Sequence, residues 1–250
     1  ATRAFAGPAQ QSIADYLDHF GIDESLIQQV IAEGLAKGGD YCDLFFQHKI
    51  SNYIGLEDNA VNRAYSNIDL GVGIRVLKGD QTGFSFTEEL TPKAMKMAAQ
   101  TAANIAGGSQ IVQPVQAVPQ TIPNYYPIET SWEAVSISQK IPALQQINDK
   151  VFALDSRIIN GTIWFGDSSS YVLIATSEGK LVADYQPMAY IRTSCTAEEN
   201  GKRESNGYSL AVRSGFEFVT PENIDLLATQ AVERTVRLFE AVKPDAGEMP

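Results

Sequence analysis

Apolar residues recur at helical spacing in Leu26, Ile27, Val30, Ile31 and Leu35, which makes one face of this segment hydrophobic. Asp23 stands where an N-cap is needed, and Gly38-Gly39 follow as a stop, because glycine takes the left-handed cap conformation at little cost. From Tyr41 to about Phe86 the pattern is strand-like. It is clearest from Asp69 to Lys78, where Leu70, Val72, Ile74 and Val76 alternate with Gly71, Gly73 and Arg75. Lys78-Gly79-Asp80 predicts a hairpin turn into Thr82-Gly83-Phe84-Ser85-Phe86. Thr91-Pro92 then opens a second helix, with Met95, Ala98, Ala102 and Ile105 on its inner face.

The remainder of the chain repeats this order. A helix is predicted over 138–154, with Leu144, Ile147 and Val151 inward and Pro142 tolerated only in its first turn. Strands are predicted over 158–165, 171–176, 179–185, 188–195 and 208–218, punctuated by turns at Gly166-Asp167, Glu178-Gly179 and Asn200-Gly201. Thr220-Pro221 caps a last helix whose apolar face runs from Ile224 to Leu238 and Val242. Gly83-Phe84-Ser85-Phe86 before Thr91-Pro92 is echoed by Gly215-Phe216-Glu217-Phe218 before Thr220-Pro221, which suggests two related halves. Strands joined by short turns and flanked by helices give an α+β class, each half a mostly antiparallel meander. The expected organisation is an N-terminal extension (1–22), a first helix-meander-helix unit (23–106), a Pro-rich connection (107–131), a second unit (132–243) and a linker (244–250).

Composition narrows the partners. The 250 residues carry a net charge of −11, which disfavours nucleic acid and anionic membrane as ligands. No run of 18 apolar residues predicts a membrane-spanning helix. Two cysteines, Cys42 and Cys195, are too few for a disulfide framework and read as buried thiols. The expected location is cytoplasmic, with Ala4-Phe5-Ala6 as the cleavage site of a removed export signal on the alternative reading.

Candidate chemistry is sparse. His19 and His48 lie 29 positions apart, so no local two-histidine metal motif exists; His19 reads as a surface residue and His48 as a strand side chain. Gly-x-Ser-x-Gly is absent, and Ser168-Ser169-Ser170 reads as a turn between strands. Gly71-Val72-Gly73 lacks the third glycine and the following helix of a dinucleotide site; two glycines leaving one strand face flat for another backbone is the simpler reading. Glu88-Glu89 and Glu198-Glu199 read as solvated loop carboxylates. No catalytic and no metal-ligating residue is assigned.

The stretch Arg63-Ala64-Tyr65-Ser66-Asn67-Ile68-Asp69-Leu70-Gly71-Val72-Gly73-Ile74-Arg75-Val76 resembles the N-terminal domain of the TldD/PmbA family, on the TldD side. Gly79-Asp80-Gln81-Thr82-Gly83-Phe84-Ser85-Phe86 and the Ala-rich helix from Pro92 continue the match, which covers about 23–250. The resemblance implies a metallopeptidase, historically labelled a modulator of DNA gyrase, whose His-Glu-x-x-x-His helix and later Cys hold zinc in a C-terminal domain. None of those positions has a counterpart here, so no cofactor is expected in this chain, which is expected to be inactive alone, and zinc is expected in the absent domain. The implied role is to wall a cleft for unfolded peptide and to support assembly, with the C-terminal domain and a homo- or heterodimeric family member as partners. Gly71, Gly73, Arg75, Gly83 and Phe84 are the candidate groove, open to an extended peptide by strand addition. Sheet packing or a bulge explains the same glycines equally well. A stand-alone peptide- or protein-binding module is the other functional class.

Overall fold

A computed structural model describes residues 11–105, 113–242 and 247. The Ala4-Phe5-Ala6 site, Gly107-Gly108, the Ile105 side chain and nearly all of the 243–250 segment lie outside the described residues. The chain forms α1 (Ile13–Phe20), α2 (Glu24–Leu35), β1 (Tyr41–Glu57), β2 (Ala60–Lys78), β3 (Gln81–Thr87), α3 (Pro92–Ile105), β4 (Val118–Gln120), α4 (Ile137–Leu154), β5 (Ile158–Thr176), β6 (Lys180–Glu199), β7 (Lys202–Val212) and α5 (Pro221–Val236). The class is α+β. One sheet runs β3-β2-β1-β5-β6-β4, with β7 also on β6. β2–β3 and β6–β7 are antiparallel, whereas short β4 is parallel to β6.

Local signals explain the boundaries. Asp23 accepts from Leu26 N, and Thr91 and Thr220 accept from Ala94 N and Asn223 N. Gly79 (φ 51°) opens the β2–β3 turn, and Asn200 and Gly201 (φ 51° and 78°) form the β6–β7 turn.

Two compact units are present. The first comprises 1–51, 67–127 and 168–187; the second comprises 52–66, 128–167 and 188–250. In the first, α2 and α3 pack together over Cys42, Leu44 and Phe46 of β1 and Val72, Ile74 and Val76 of β2. In the second, α4 and α5 cover Ile54, Leu56, Ile163, Phe165 and Ile191. Each of the buried Val, Leu, Ile and Phe side chains among these contributes about 1.5–3 kcal/mol of burial.

Several expectations are corrected. The strands expected over 158–165 and 171–176 are one strand, β5, which runs straight through Gly166-Asp167 and the three serines. An ideal Cβ on Gly166 would lie 2.2 Å from Tyr190 Cε1, so this glycine makes room for a ring and not for a turn. Asp167 to Ser170 are buried, and strand pairing brings them partners from distant segments. Likewise 179–185 and 188–195 merge into β6, and Glu198-Glu199 end that strand, paired with Arg203 and Arg157.

The strand expected over 208–218 stops at Val212. Phe216–Phe218 form a 3-10 turn, unlike their counterpart in β3. Pro142 lies beyond the first turn of α4, whose N-cap is Ser136. The last helix ends at Val236; a 3-10 turn over Arg237–Glu240 follows, and Val242 is exposed.

Candidate functional site

The β2–β3 hairpin carries the candidate groove. Alternation sends Val72, Ile74 and Val76 inward, so Gly71, Gly73 and Arg75 occupy the opposite face of β2. The register pairs Arg75 with Phe84, Gly73 with Phe86 and Val76 with Gly83. Phe84 and Phe86 therefore share the outer face with Gly73, while Gly83 is buried beside Val76. On this face lies a hollow of about 560 Å³, lined by Gly71, Gly73 and Phe84 together with Phe45, Gln47, Ile68, Asp69, Leu70, Val72, Phe86, Thr87 and Glu88. Of the five sequence-predicted residues, three meet there. Arg75 stands at the margin, its Nε donating to Asp43 Oδ2 at 3.0 Å, and this carboxylate raises the guanidinium above its ordinary value. The phenylalanine pair Phe84 and Phe86 was legible as a two-residue period; Phe45, Ile68 and Glu88 reach the hollow only through folding.

The glycines are not bare. An ideal Cβ on Gly73 would sit 3.3 Å from the Phe84 ring, and one on Gly71 would sit 2.8 Å from Thr87 O. Gly73 thus accepts its own neighbour's ring, and Gly71 accepts the backbone of the edge strand.

β3 ends the sheet path, with β2 as its one strand neighbour among the described residues, while α3 also packs against it. A two-residue hairpin loop closes on a hydrogen-bonded pair, here Lys78 with Gln81, and such pairs alternate along an antiparallel ladder. Val76–Gly83 and Ile74–Ser85 are then bonded pairs, so the N–H and C=O groups of Thr82, Phe84 and Phe86 point to the free edge. Sheet edges are normally blunted by lysine, proline or bulges. Gln81-Thr82-Gly83-Phe84-Ser85-Phe86-Thr87 contains no charge and no proline, and both phenylalanines are exposed.

Sequence reasoning missed two buried polar constellations. In the first unit, His19 of α1 is not a surface residue. It is half-buried, its Nε2 lies 2.8 Å from His48 Nδ1, and its ring lies 4.4 Å from that of Tyr171. Burial, and then the neighbouring imidazole, push its pKa down to about 4. In the second unit, Lys140 Nζ donates to Asp167 Oδ2 at 2.7 Å, and both side chains are almost wholly buried. Asn52 donates to the other Asp167 oxygen at 2.8 Å, and Trp132 and Phe165 present their rings to the ammonium. No local spacing signals either constellation.

Among the described residues no three of His, Cys, Asp and Glu gather. The two imidazoles share a hydrogen bond with each other. Cys42 and Cys195 are free and buried; burial pushes the Cys42 thiol up to about 12 and the Cys195 thiol above its ordinary value.

Comparison with known proteins adds the family context. The model for "PmbA/TldA metallopeptidase domain 1" matches residues 42–106, and that for "PmbA/TldA metallopeptidase central domain" matches 130–239. A "Metalloprotease TldD homolog" from Haemophilus influenzae is 30% identical over 84% of this chain and 45% of its own length. A "Metalloprotease" from Methanothermobacter thermautotrophicus is 23% identical over 83% and 45%. Two solved structures share the fold at 15% identity. One, from Bacteroides thetaiotaomicron and described as a candidate modulator of DNA gyrase, has a TM-score of 0.68 over 86% of this chain and 49% of its own. The other, TldE from Thermococcus kodakarensis, has 0.61 over 83% and 46%. The chain spans about 45% of the length of these curated relatives.

Proposed function

Since the chain belongs to the PmbA/TldD metallopeptidase family, we propose that it is the peptide-holding N-terminal region of a TldD-like zinc metallopeptidase acting on unfolded peptides. Its partners on this reading are a metal-binding domain and a second family member, homologous or identical. On this reading the zinc ligands and the catalytic groups belong to that metal-binding domain, and the chain alone is inactive. The gyrase label of some relatives is not extended to this chain, because a net charge of −11 opposes contact with DNA. No described helix is long and apolar enough to cross a membrane; a cytoplasmic location is part of the proposal.

One observation carries this reading: the uncharged, proline-free edge of β3 beside an apolar hollow. An extended peptide adds there as a further strand, its backbone bonding to Thr82, Phe84 and Phe86 and alternate side chains entering the hollow. Proline at position 84 removes an outward N–H without breaking a bond to β2. The test compares Phe84→Pro with Phe84→Ala in a full-length protein carrying this region. Cleavage of an unfolded peptide should fall about tenfold further in the proline variant, the worth of one lost hydrogen bond, with metal content unchanged. Equal cleavage by the two variants would refute strand addition at this edge.

A further inference from the structure

Charge is unevenly distributed around the hollow. Its lining is mainly apolar, with Phe45, Ile68, Phe84 and Phe86 all exposed. Among the described residues its charged lining is Asp69 and Glu88, both exposed carboxylates. They occupy one end: Val72 pairs with Thr87, so Glu88 comes next on the β3 side and Asp69 lies three residues earlier on β2. At the opposite end Arg75 is neutralised by Asp43. Glu88 follows β3, which ends at Thr87, and lines the hollow beyond Phe86; on a peptide added as a strand, side chains two residues apart share one face.

From this layout we infer that the groove selects extended peptides bearing a bulky apolar residue with a lysine or arginine two positions away. The inference rests on the strand-addition reading and specifies the substrate class of that site. The apolar side chain packs in the hollow against the exposed Phe84 and Phe86. The basic side chain, on the same face, meets Asp69 and Glu88. A basic residue at the adjacent position points to the other face and gains nothing from these carboxylates. Acidic peptides are disfavoured by like-charge repulsion.

Fluorescence anisotropy of labelled peptides added to the 250-residue chain tests this. The probes are Lys-Ser-Phe-Ser-Lys, Glu-Ser-Phe-Ser-Glu and Ser-Lys-Phe-Lys-Ser, each within the same Ser/Thr flanks. At low salt the first should bind about fivefold more tightly than the third, as exposed ion pairs allow, and the second most weakly. The advantage should collapse to within about twofold in a D69N/E88Q double variant, and persist in a D149N/E240Q control that changes net charge equally at exposed positions elsewhere. Equal binding of the first and third peptides overturns the preference, as does equal loss of selectivity in the control. Binding without preference leaves strand addition standing. No binding by any peptide overturns the groove and the preference together.

Discussion

Replacing Lys140 with methionine should cost the chain about 3–5 kcal/mol of stability, because it strands a buried carboxylate. Lys140 Nζ and Asp167 Oδ2 are 2.7 Å apart, and the two side chains are 1% and 0% exposed. At an effective dielectric of about 20 their attraction is about 6 kcal/mol, which offsets a desolvation cost of several kcal/mol per ion. Without the ammonium, Asp167 keeps the Asn52 amide as a donor at 2.8 Å, and one amide hydrogen bond does not compensate a buried charge. For a chain of this length the loss lowers Tm by about 10 °C. Adding Asp167→Leu to Lys140→Met removes the stranded charge, so the double variant should recover at least half of the loss. Some deficit remains, because Asn52, whose carbonyl oxygen already accepts from Ser66 at 2.6 Å, loses its acceptor. Urea unfolding followed by circular dichroism, at fixed pH and salt, measures all four members of this cycle. A Lys140→Met variant within 1 kcal/mol of the parent would refute the argument, as would a double variant no more stable than the single one.

Gly166→Ala should destabilise by about 1–3 kcal/mol, since the new Cβ would lie 2.2 Å from Tyr190 Cε1; Tyr190→Ser in the same chain should restore most of it, measured by thermal unfolding. Stability should also fall between pH 6.5 and 4. With its folded-state pKa near 4, below the ordinary 6.5, His19 takes up its proton first in the unfolded chain, which favours unfolding as pH drops. The effect would be about 3 kcal/mol for a fully buried ring, and solvent at this half-exposed one reduces it to about 1 kcal/mol. Urea unfolding at pH 7, 6 and 5 should show the slope in the parent and a flatter one in His19→Asn; parallel slopes would remove His19 as its source.

Much of the fold was legible where the determining interaction is local. Asp23, Thr91 and Thr220 mark helix starts because each oxygen bonds a backbone N–H three residues on. Asn200-Gly201 marks a hairpin because both residues must adopt positive φ. Alternation from Leu70 to Val76 places Gly71, Gly73 and Arg75 on one face, because side-chain direction follows strand period. What only tertiary structure decided depends on partners far along the chain. Asp167-Ser168-Ser169-Ser170 reads as a turn until Lys140, Asn52 and Gln47 arrive to satisfy Asp167 and Ser170 inside the sheet. Gly166 reads as a breaker until Tyr190 fills the space of its missing side chain. His19 and His48, 29 positions apart, share a hydrogen bond because α1 packs beside β1. The groove divides in the same way. Its strands and glycines were set by local period, but its walls, and the two carboxylates at one end, depend on which strands and loops the fold brings alongside, because burial and charge are properties of neighbours in space and not of neighbours in sequence.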